Sequence, residues 1–173
     1  MSQAAAQPAP GGEDMRAIAL EYLASHNTVS LATLGPGGPW ASTVFYVNLG
    51  FTLYFLSEPK TLHVQNLARS ATIGATVNED YRDWRDIKGI QIAAQCGEVT
   101  SKRELARVLP AYIKKYPFVA QFLSPGQLLG GMKIAGKALD VRIYRVAPTH
   151  VLYIDNARGF SHREEIPFEE NRS

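Results

Sequence analysis

The short segment at residues 57–61, Ser-Glu-Pro-Lys-Thr, carries the clearest side-chain chemistry in this sequence. It follows an alternating, strand-like pattern that ends at Leu56 and precedes a pattern of helical spacing. A helix start offers unpaired backbone amides and the positive end of a dipole, to which Ser57 and Thr61 would add hydroxyls and Lys60 an ammonium group. This set suits one terminal phosphate. A simpler interpretation, with Ser57 as a helix cap and Lys60 facing solvent, stays open from these residues alone.

Gln91 is a second polar side chain whose position points to a binding role. It lies in a predicted strand, 87–99, whose other face is aliphatic. Because an amide both donates and accepts hydrogen bonds, Gln91 would suit the polar edge of a heterocycle, and the nearby Trp84 could cover a flat ring. A solvent-facing glutamine and an aromatic plug at the mouth of a barrel are the alternatives for these two residues.

Three common kinds of site are excluded by the residues present. Residues 131–137 have the spacing of a phosphate-binding loop, but Ala138 stands where that loop needs a Ser or Thr hydroxyl for magnesium. The four histidines lack metal-ligand spacing, and the single cysteine, Cys96, completes neither a zinc site nor an intramolecular disulfide. No dinucleotide glycine fingerprint follows a strand. We expect Cys96 to be a buried structural thiol.

Charge and hydropathy narrow the expected partners. Lys and Arg number 18 against 16 Asp and Glu, a formal charge of +2 that is too balanced for a nucleic-acid binder acting by bulk charge. No run approaches the roughly 20 apolar residues of a membrane helix, and residues 1–15 lack the features of a secretory signal. We therefore expect a cytoplasmic protein with no nucleic-acid or membrane partner.

Composition and the spacing of apolar residues predict the bounds of the domain and the helices that position these residues. Residues 1–12, rich in Ala, Pro, Gly and Gln, are expected to form a flexible arm, and residues 13–173 a single domain. Helices are predicted from Glu13, around residues 57–70, and from a capping box at residues 101–104. Pro110 is expected to kink or restart the third helix, since proline removes a backbone donor.

Alternating patterns predict about seven strands, at residues 28–34, 40–49, 51–56, 71–77, 87–99, 138–146 and 150–154. Short hairpin links between them favour antiparallel pairing, and their lengths suit a closed or nearly closed barrel. The predicted fold class is α+β, mainly β: a six- to seven-stranded antiparallel barrel with peripheral helices.

The order of these pieces resembles the pyridoxamine 5′-phosphate oxidase-like proteins, a superfamily of FMN-binding split barrels. The resemblance is carried by the hairpin at 40–56, the junction Ser-Glu-Pro-Lys-Thr-Leu at 57–62, and the Gly-Ile-Gln sequence at 89–91. Tyr-Arg-Val-Ala-Pro at 144–148 and Arg-Gly-Phe at 158–160 are typical of one small-protein branch. The similarity runs from about residue 15 to residue 166.

The resemblance implies a split barrel that forms a homodimer and holds one FMN per subunit at the interface. Lys60 and Thr61 lie at the positions where members of the family bind the FMN phosphate, in the junction that begins with Leu56 and Ser57. The second-strand residues Ser42, Thr43, Val44 and Phe45 would line the isoalloxazine, and Gln91 would meet its pyrimidine edge. Arg158 or Arg163 would approach the neighbouring subunit's flavin.

Two departures from the true oxidases shape the functional expectation. Ser42 and Val47 lie near positions where those enzymes carry basic residues, and residues 159–163 do not reproduce their Arg-x-His substrate clamp. Pyridoxamine phosphate is therefore not the expected substrate. The first hypothesis is an FMN-dependent oxidoreductase of an unassigned small molecule. The second is a flavin, deazaflavin F420 or haem carrier without turnover, and the third a barrel that holds no cofactor.

Overall fold

The computed structural model describes residues 12–122, 132–134, 137–139 and 141–168 of the chain. The strands and helices in these ranges, in chain order, are α1 (Gly12–Ser25), β1 (Thr28–Gly35), β2 (Gly38–Leu49), β3 (Thr52–Ser57), α2 (Leu62–Leu67), β4 (Thr72–Asn78), β5 (Lys88–Glu98), α3 (Lys102–Lys115), β6 (Met132–Ile134), β7 (Lys137–Leu139), β8 (Arg142–Asp155) and β9 (Arg163–Glu165). Short 3₁₀ turns at Trp84–Asp86, Pro117–Phe122 and Asn156–Arg158 connect some of them.

Six of the strands close into an antiparallel barrel. The hydrogen-bonded order is β3-β2-β1-β4-β5-β8, and pairing of β3 with β8 closes the ring, while β9 adds a strand outside β8. A two-residue turn joins β1 to β2, with Gly38 at φ 101°, and Gly50 at φ 62° turns the chain between β2 and β3. Glycine adopts these angles at little steric cost, which keeps both hairpins tight. The predicted mainly-β α+β barrel is confirmed.

Period-two alternation fills the barrel interior. Along β5, Ile90, Ile92, Ala94 and Cys96 are buried while the residues between them are exposed. Burial raises the pKa of the Cys96 thiol to about 12, as expected for a structural cysteine. Helix α1 packs on this core through apolar residues at helical spacing: Met15, Ile18, Ala19, Tyr22 and Leu23.

A second apolar cluster forms outside the barrel wall, beneath α3. Val108, Leu109 and Tyr112 of α3 pack with Val47 of β2 and Tyr54 of β3. The helix continues through Pro110 without a break, contrary to the expected restart. Pro110 is exposed, so its missing backbone donor lies on the solvent side and the buried face of α3 stays in contact with the barrel.

The C-terminal strands differ from the prediction. Residues 142–155 form one long strand, β8, instead of two. A β-bulge at Thr149 lets the strand continue past Pro148. The register with β5 shifts between Ala93 and Ala94, so that Ala93 faces His150 and Ala94 faces Pro148. Thr149 is the extra residue, and its hydroxyl donates to the Ala93 carbonyl at 3.1 Å. A bulge lets a proline enter a paired strand without ending it.

Two smaller expectations change as well. Helix α2 spans only six residues, fewer than the helix predicted around residues 57–70, and Ala68 just after it is exposed. Ser101 accepts from the Glu104 amide at 3.4 Å, but the Glu104 carboxylate bonds Tyr54 and Arg145 and does not return to close a capping box.

Several predicted features fall outside the described residues. These are residues 1–11 of the expected N-terminal arm, the C-terminal residues 169–173, and residues 131, 135 and 136 of the glycine-rich segment at 131–137. The described parts of that segment, Met132–Ile134 and Lys137–Leu139, pair as a small hairpin. No helix in the described ranges is long and apolar enough to cross a membrane.

Candidate functional site

The junction between β3 and α2 brings two hydroxyls and an imidazole into contact. The Ser57 Oγ lies 3.0 Å from Thr61 Oγ1 and 2.8 Å from His63 Nε2, and Thr61 Oγ1 donates to the Glu58 carbonyl at 2.9 Å. Ser57 and His63 are both buried. Desolvation lowers the pKa of His63, so the imidazole is held in its neutral form beside the hydroxyls.

Ser57 does not cap α2. The residue at the N-cap position is Thr61, whose side chain makes no capping hydrogen bond, while the Ser57 hydroxyl faces His63. The capping interpretation left open by the sequence is therefore wrong for Ser57. Both hydroxyls are gathered at one point through side-chain hydrogen bonds.

Lys60 is the cation of this junction. Its Nζ lies 2.8 Å from the Glu58 carboxylate, and 78% of its side chain is exposed. An exposed ion pair of this kind contributes little stability, so the ammonium group can exchange Glu58 for another anion at low cost. The Ser57 hydroxyl and the exposed Lys60 ammonium are donors that suit a phosphate group, whereas the single Thr61 hydroxyl proton is donated to the Glu58 carbonyl and would have to change its acceptor.

Residues 42–45 of β2 extend beyond the end of the β2–β3 ladder, on the side from which β3 runs into this junction. The ladder between β2 and β3 covers Tyr46–Leu49 and Thr52–Phe55 only, whereas β2 runs back to Gly38 paired with β1. Continuing the β2–β3 register would place Phe45 across from Leu56 and Val44 across from Ser57. This edge of β2 therefore has no strand partner within the described ranges, and at Phe45 the Tyr112 hydroxyl of α3 takes the place of one by donating to the backbone carbonyl.

The four β2 side chains of this edge differ in environment. Ser42 Oγ accepts from the Trp40 indole at 2.9 Å, and Thr43 Oγ1 lies 3.2 Å from Ser30 on the outer face. Val44 is partly buried. The Phe45 ring, 51% exposed, packs edge-on against Tyr116, and its carbonyl accepts from the Tyr112 hydroxyl at 2.8 Å. Leu56, across the gap, is partly buried against the outer cluster.

Gln91 lies on the outer wall, away from the junction. In the paired register, Thr43, Ser30, Thr76 and Gln91 form one outward-facing row. Three inter-strand spacings separate Thr43 from Gln91, about 14 Å. The side chain is exposed, as expected for a residue that alternates with the buried aliphatic positions of β5. Within one chain, Gln91 and Lys60 are not brought together.

The two C-terminal arginines have separate environments. Arg158 Nε lies 3.3 Å from the buried Asp155 carboxylate, and its Nη1 lies 3.1 Å from Met15 Sδ, so its head is held at the start of α1. Arg163 is exposed on β9, where Nη1 donates to the Ser161 hydroxyl at 2.6 Å. Through the β8 pairings it shares the outer face with Gln91, whereas Arg158 does not reach that face.

Sequence reasoning missed His63 because it searched the histidines for metal-ligand spacing alone. The available signal was its position two residues after Thr61. On the first turn of a helix, that position brings the imidazole ring close to Ser57 at the end of the preceding strand. In the described part of the chain, no group of three or more His, Cys, Asp or Glu side chains is placed to hold a metal ion.

Comparison with known proteins gives both distant relatives and similar folds. A UPF0306 protein of Klebsiella pneumoniae is 25% identical over 123 residues, covering 70% of this chain and 71% of the relative. The structure of a heme binding protein from Mycobacterium smegmatis superposes with a TM-score of 0.66 at 18% identity, covering 92% of this chain and 59% of that one. A FAD-binding protein from Mesorhizobium loti gives 0.58 at 13% identity, covering 78% and 90%.

The two solved structures show the shared fold, and this chain spans only about three-fifths of the mycobacterial protein. The family assignment comes from the sequence itself. The model of the family described as Pyridoxamine 5′-phosphate oxidase matches residues 15–155, from α1 to the end of β8. This range includes the β3–α2 junction and the open edge of β2. The chain therefore belongs to the pyridoxamine 5′-phosphate oxidase family.

Proposed function

We propose that this protein binds FMN and uses it as an oxidoreductase acting on a small molecule. The observation that carries the proposal is that β2 runs on through residues 42–45 past the end of its ladder with β3, on the side where β3 leads into the junction of Ser57, Thr61 and Lys60. One edge offers backbone groups to a flat ring, and the junction offers donors to a phosphate. Bound FMN would supply hydride transfer, which none of the side chains here supplies.

The protein's own groups would bind and orient the cofactor. Lys60 would leave Glu58 and pair with the phosphate, which carries more charge than one carboxylate. Ser57, positioned by His63, would direct its hydroxyl to the same group. The exposed ring of Phe45 would cover part of the flavin and limit water at the reacting face.

The test is a titration with FMN and with riboflavin, which lacks the phosphate. The wild-type protein should bind FMN more tightly, and Lys60→Ala should lower FMN affinity about tenfold while leaving riboflavin affinity unchanged. Lys114→Ala removes a similarly exposed lysine from α3 and should change neither. Equal binding of both flavins by the wild-type protein, or unchanged FMN affinity in Lys60→Ala, would refute the phosphate assignment.

We further propose that the site is completed in a homodimer. Gln91 and Arg163 share an outer face that the junction of the same chain does not reach, so a second subunit is needed to bring them to the flavin. The outer wall supports such an association because a row of very small residues leaves it flat and exposed: Ala41, Ala32, Gly74 and Ala93. In a two-fold dimer the same surface of both subunits meets, so this row would lie against its own copy.

Light scattering tests the dimer directly. We expect twice the chain mass for the wild-type protein, and the mass of one chain for Ala93→Arg, which places a long charged side chain in the middle of the flat wall. Gln95→Arg, two positions along the same exposed face of β5, is the matched control for an added charge. A wild-type monomer that binds FMN with full affinity would contradict the dimeric site.

A carrier of flavin, deazaflavin or haem without turnover is the second candidate. It is favoured by the similarity of the whole fold to the mycobacterial heme binding protein. The absorption spectrum of freshly purified protein separates the possibilities. A flavin spectrum that bleaches with a nicotinamide donor supports the oxidoreductase, a flavin that resists reduction supports a flavin carrier, and a Soret band supports a haem carrier.

A further inference from the structure

The close contacts among Ser57, Thr61 and His63 can all be hydrogen bonds in only one arrangement of their protons. Thr61 has a single hydroxyl proton, which it donates to the Glu58 carbonyl at 2.9 Å. The Thr61 oxygen also lies 3.0 Å from Ser57 Oγ and 3.2 Å from His63 Nε2, so in these two contacts it can only accept. The proton between the two hydroxyls is therefore donated by Ser57.

The same count assigns the proton on the His63 ring. Because the Ser57 proton is used toward Thr61, the Ser57 oxygen accepts in its 2.8 Å contact with His63 Nε2, and the donor is an N–H on Nε2. Burial lowers the pKa of His63, so the neutral ring carries one N–H proton only. Among the described residues, Nδ1 has no hydrogen-bond partner that would hold this proton on the other nitrogen.

These contacts form one continuous chain of donors that starts at the imidazole. His63 Nε2 donates to Ser57, and Ser57 donates to Thr61. The Thr61 hydroxyl ends the chain at the Glu58 carbonyl. Hydrogen bonds in such a chain strengthen one another, because each polarises the next in the same direction. With the proton on Nδ1, Ser57 would have to donate either to the ring or to Thr61, and the other contact would lack a proton.

The hydroxyl protons of this chain can turn toward a ligand without leaving their present partners unpaired. The Glu58 carbonyl also accepts from the Thr61 backbone amide at 3.1 Å, so it keeps a hydrogen bond when the Thr61 hydroxyl turns away. The oxygens of Ser57 and Thr61 lie 2.8 Å and 3.2 Å from His63 Nε2, so both stay within reach of its N–H. Thr61 is only partly buried and follows the exposed Lys60, which places its hydroxyl toward solvent-borne ligands.

We propose that His63 is a positioning residue whose Nε2–H makes the hydroxyls of Ser57 and Thr61 donors toward a group that only accepts hydrogen bonds, such as the phosphate of FMN. This inference rests on the flavin site proposed above. A phosphate monoester has its second pKa near about 6, so at pH 7.5 it is mostly a dianion without a proton to donate. His63 acts on that group through the two hydroxyls and does not itself contact it.

The first measurement is the tautomer of His63 in the flavin-free protein. Nitrogen NMR of protein labelled with ¹⁵N-histidine, recorded at pH 7.5, distinguishes a protonated from an unprotonated ring nitrogen, and His63→Gln assigns the signals by their loss. We expect the proton on Nε2 and none on Nδ1. A proton on Nδ1 would overturn the donor chain, whatever the flavin affinities are.

The second measurement is the ratio of FMN affinity to riboflavin affinity, by fluorescence titration. His63→Leu and His63→Asn cannot place a donor where Nε2 lies, and each should lower the ratio about tenfold, the equivalent of one charge-assisted hydrogen bond. The longer amide of His63→Gln can donate to Ser57 and should keep the ratio within about twofold of the wild-type value. His150→Gln, an exposed histidine on β8, is the matched control and should leave the ratio unchanged.

The outcomes separate this inference from the flavin proposal. If FMN binding depends on Lys60 but the ratio is the same in all the residue-63 variants, the role of His63 is overturned and the flavin site stands. An equal loss in His63→Gln and His63→Asn would show that the N–H donor is not what matters, which also overturns it. Urea midpoints show which variants fold, and His63→Asn carries the comparison if His63→Leu does not. If no flavin binds, both proposals fail.

Discussion

The Nε2 atom of His63 lies 2.8 Å from the Ser57 hydroxyl, and both side chains are buried at the end of strand β3. The contact links a titratable ring to the hydroxyl that faces the proposed phosphate position. Because burial lowers the pKa of His63, the pair exists with a neutral imidazole. This contact has a measurable consequence for folding.

Stability should fall as the pH drops below about 6.5, the pKa of a histidine in an unfolded chain. Below that value the unfolded chain binds a proton that the folded His63 does not, which favours unfolding; above it both forms are neutral and the effect vanishes. Urea midpoints measured between pH 7.5 and 5.5 should show a smaller decrease in His63→Gln than in the wild-type protein. His150→Gln, which alters an exposed pair with Glu165, should keep the wild-type decrease. Parallel pH profiles for wild-type and His63→Gln would argue against a buried neutral imidazole.

Gly35→Ala should destabilise the protein by about 1–3 kcal/mol, the usual cost of overpacking, because the new methyl group would overlap the buried Asn66 amide. Gly37→Ala in the same turn is the control: a Cβ there meets no atom within 4 Å, and the backbone angle suits alanine. Urea denaturation measures both. Equal stability of the two variants would show that Asn66 can move away from the hairpin.

Lys115 should titrate with a pKa of about 8, lowered by burial. Its Nζ donates to the His26 carbonyl at 2.6 Å and lies 4.3 Å from the centre of the Tyr46 ring, with no carboxylate pairing it among the described residues. Reductive ¹³C-methylation followed by NMR titration reports the value, and Lys115→Arg assigns the signal by its loss. A midpoint near the ordinary lysine value of about 10.4 would contradict the prediction.

Gln91→Leu should shift the reduction potential of bound flavin by about 20–30 mV, the equivalent of losing one hydrogen bond of about 1 kcal/mol in a two-electron couple. Potentiometric titration of the flavin-loaded protein gives the value. Gln95→Leu removes the same amide from the same face of β5, where its Nε2 bonds Thr72 instead, and should leave the potential unchanged. Identical potentials in all three proteins would remove Gln91 from the site.

The fold could be predicted from the sequence to a large extent because its elements are coded locally. The alternation along β5 and the short links between strands depend on near neighbours, and the strands from β1 to β5 formed within two residues of the predicted bounds. The joined strand β8 was missed because the bulge at Thr149 depends on its pairing with Ala93 across the barrel. From its neighbours in the sequence, Pro148 predicts the end of a strand. Only the pairing with β5 shows that a bulge accommodates the proline within one continuous strand.

The candidate site likewise has some features that the local sequence predicts and others that depend on tertiary structure. The sequence by itself determined which donors gather at the junction, since Ser57, Lys60 and Thr61 lie within five residues of one strand end. It also determined the outward direction of Gln91, because side chains alternate along a strand. Tertiary structure decided that β2 loses its β3 partner beside this junction, that His63 holds Ser57, and that Gln91 lies strands away from Lys60. These are distances between segments far apart in the chain, set by barrel closure and strand register, and no local pattern of residues encodes them.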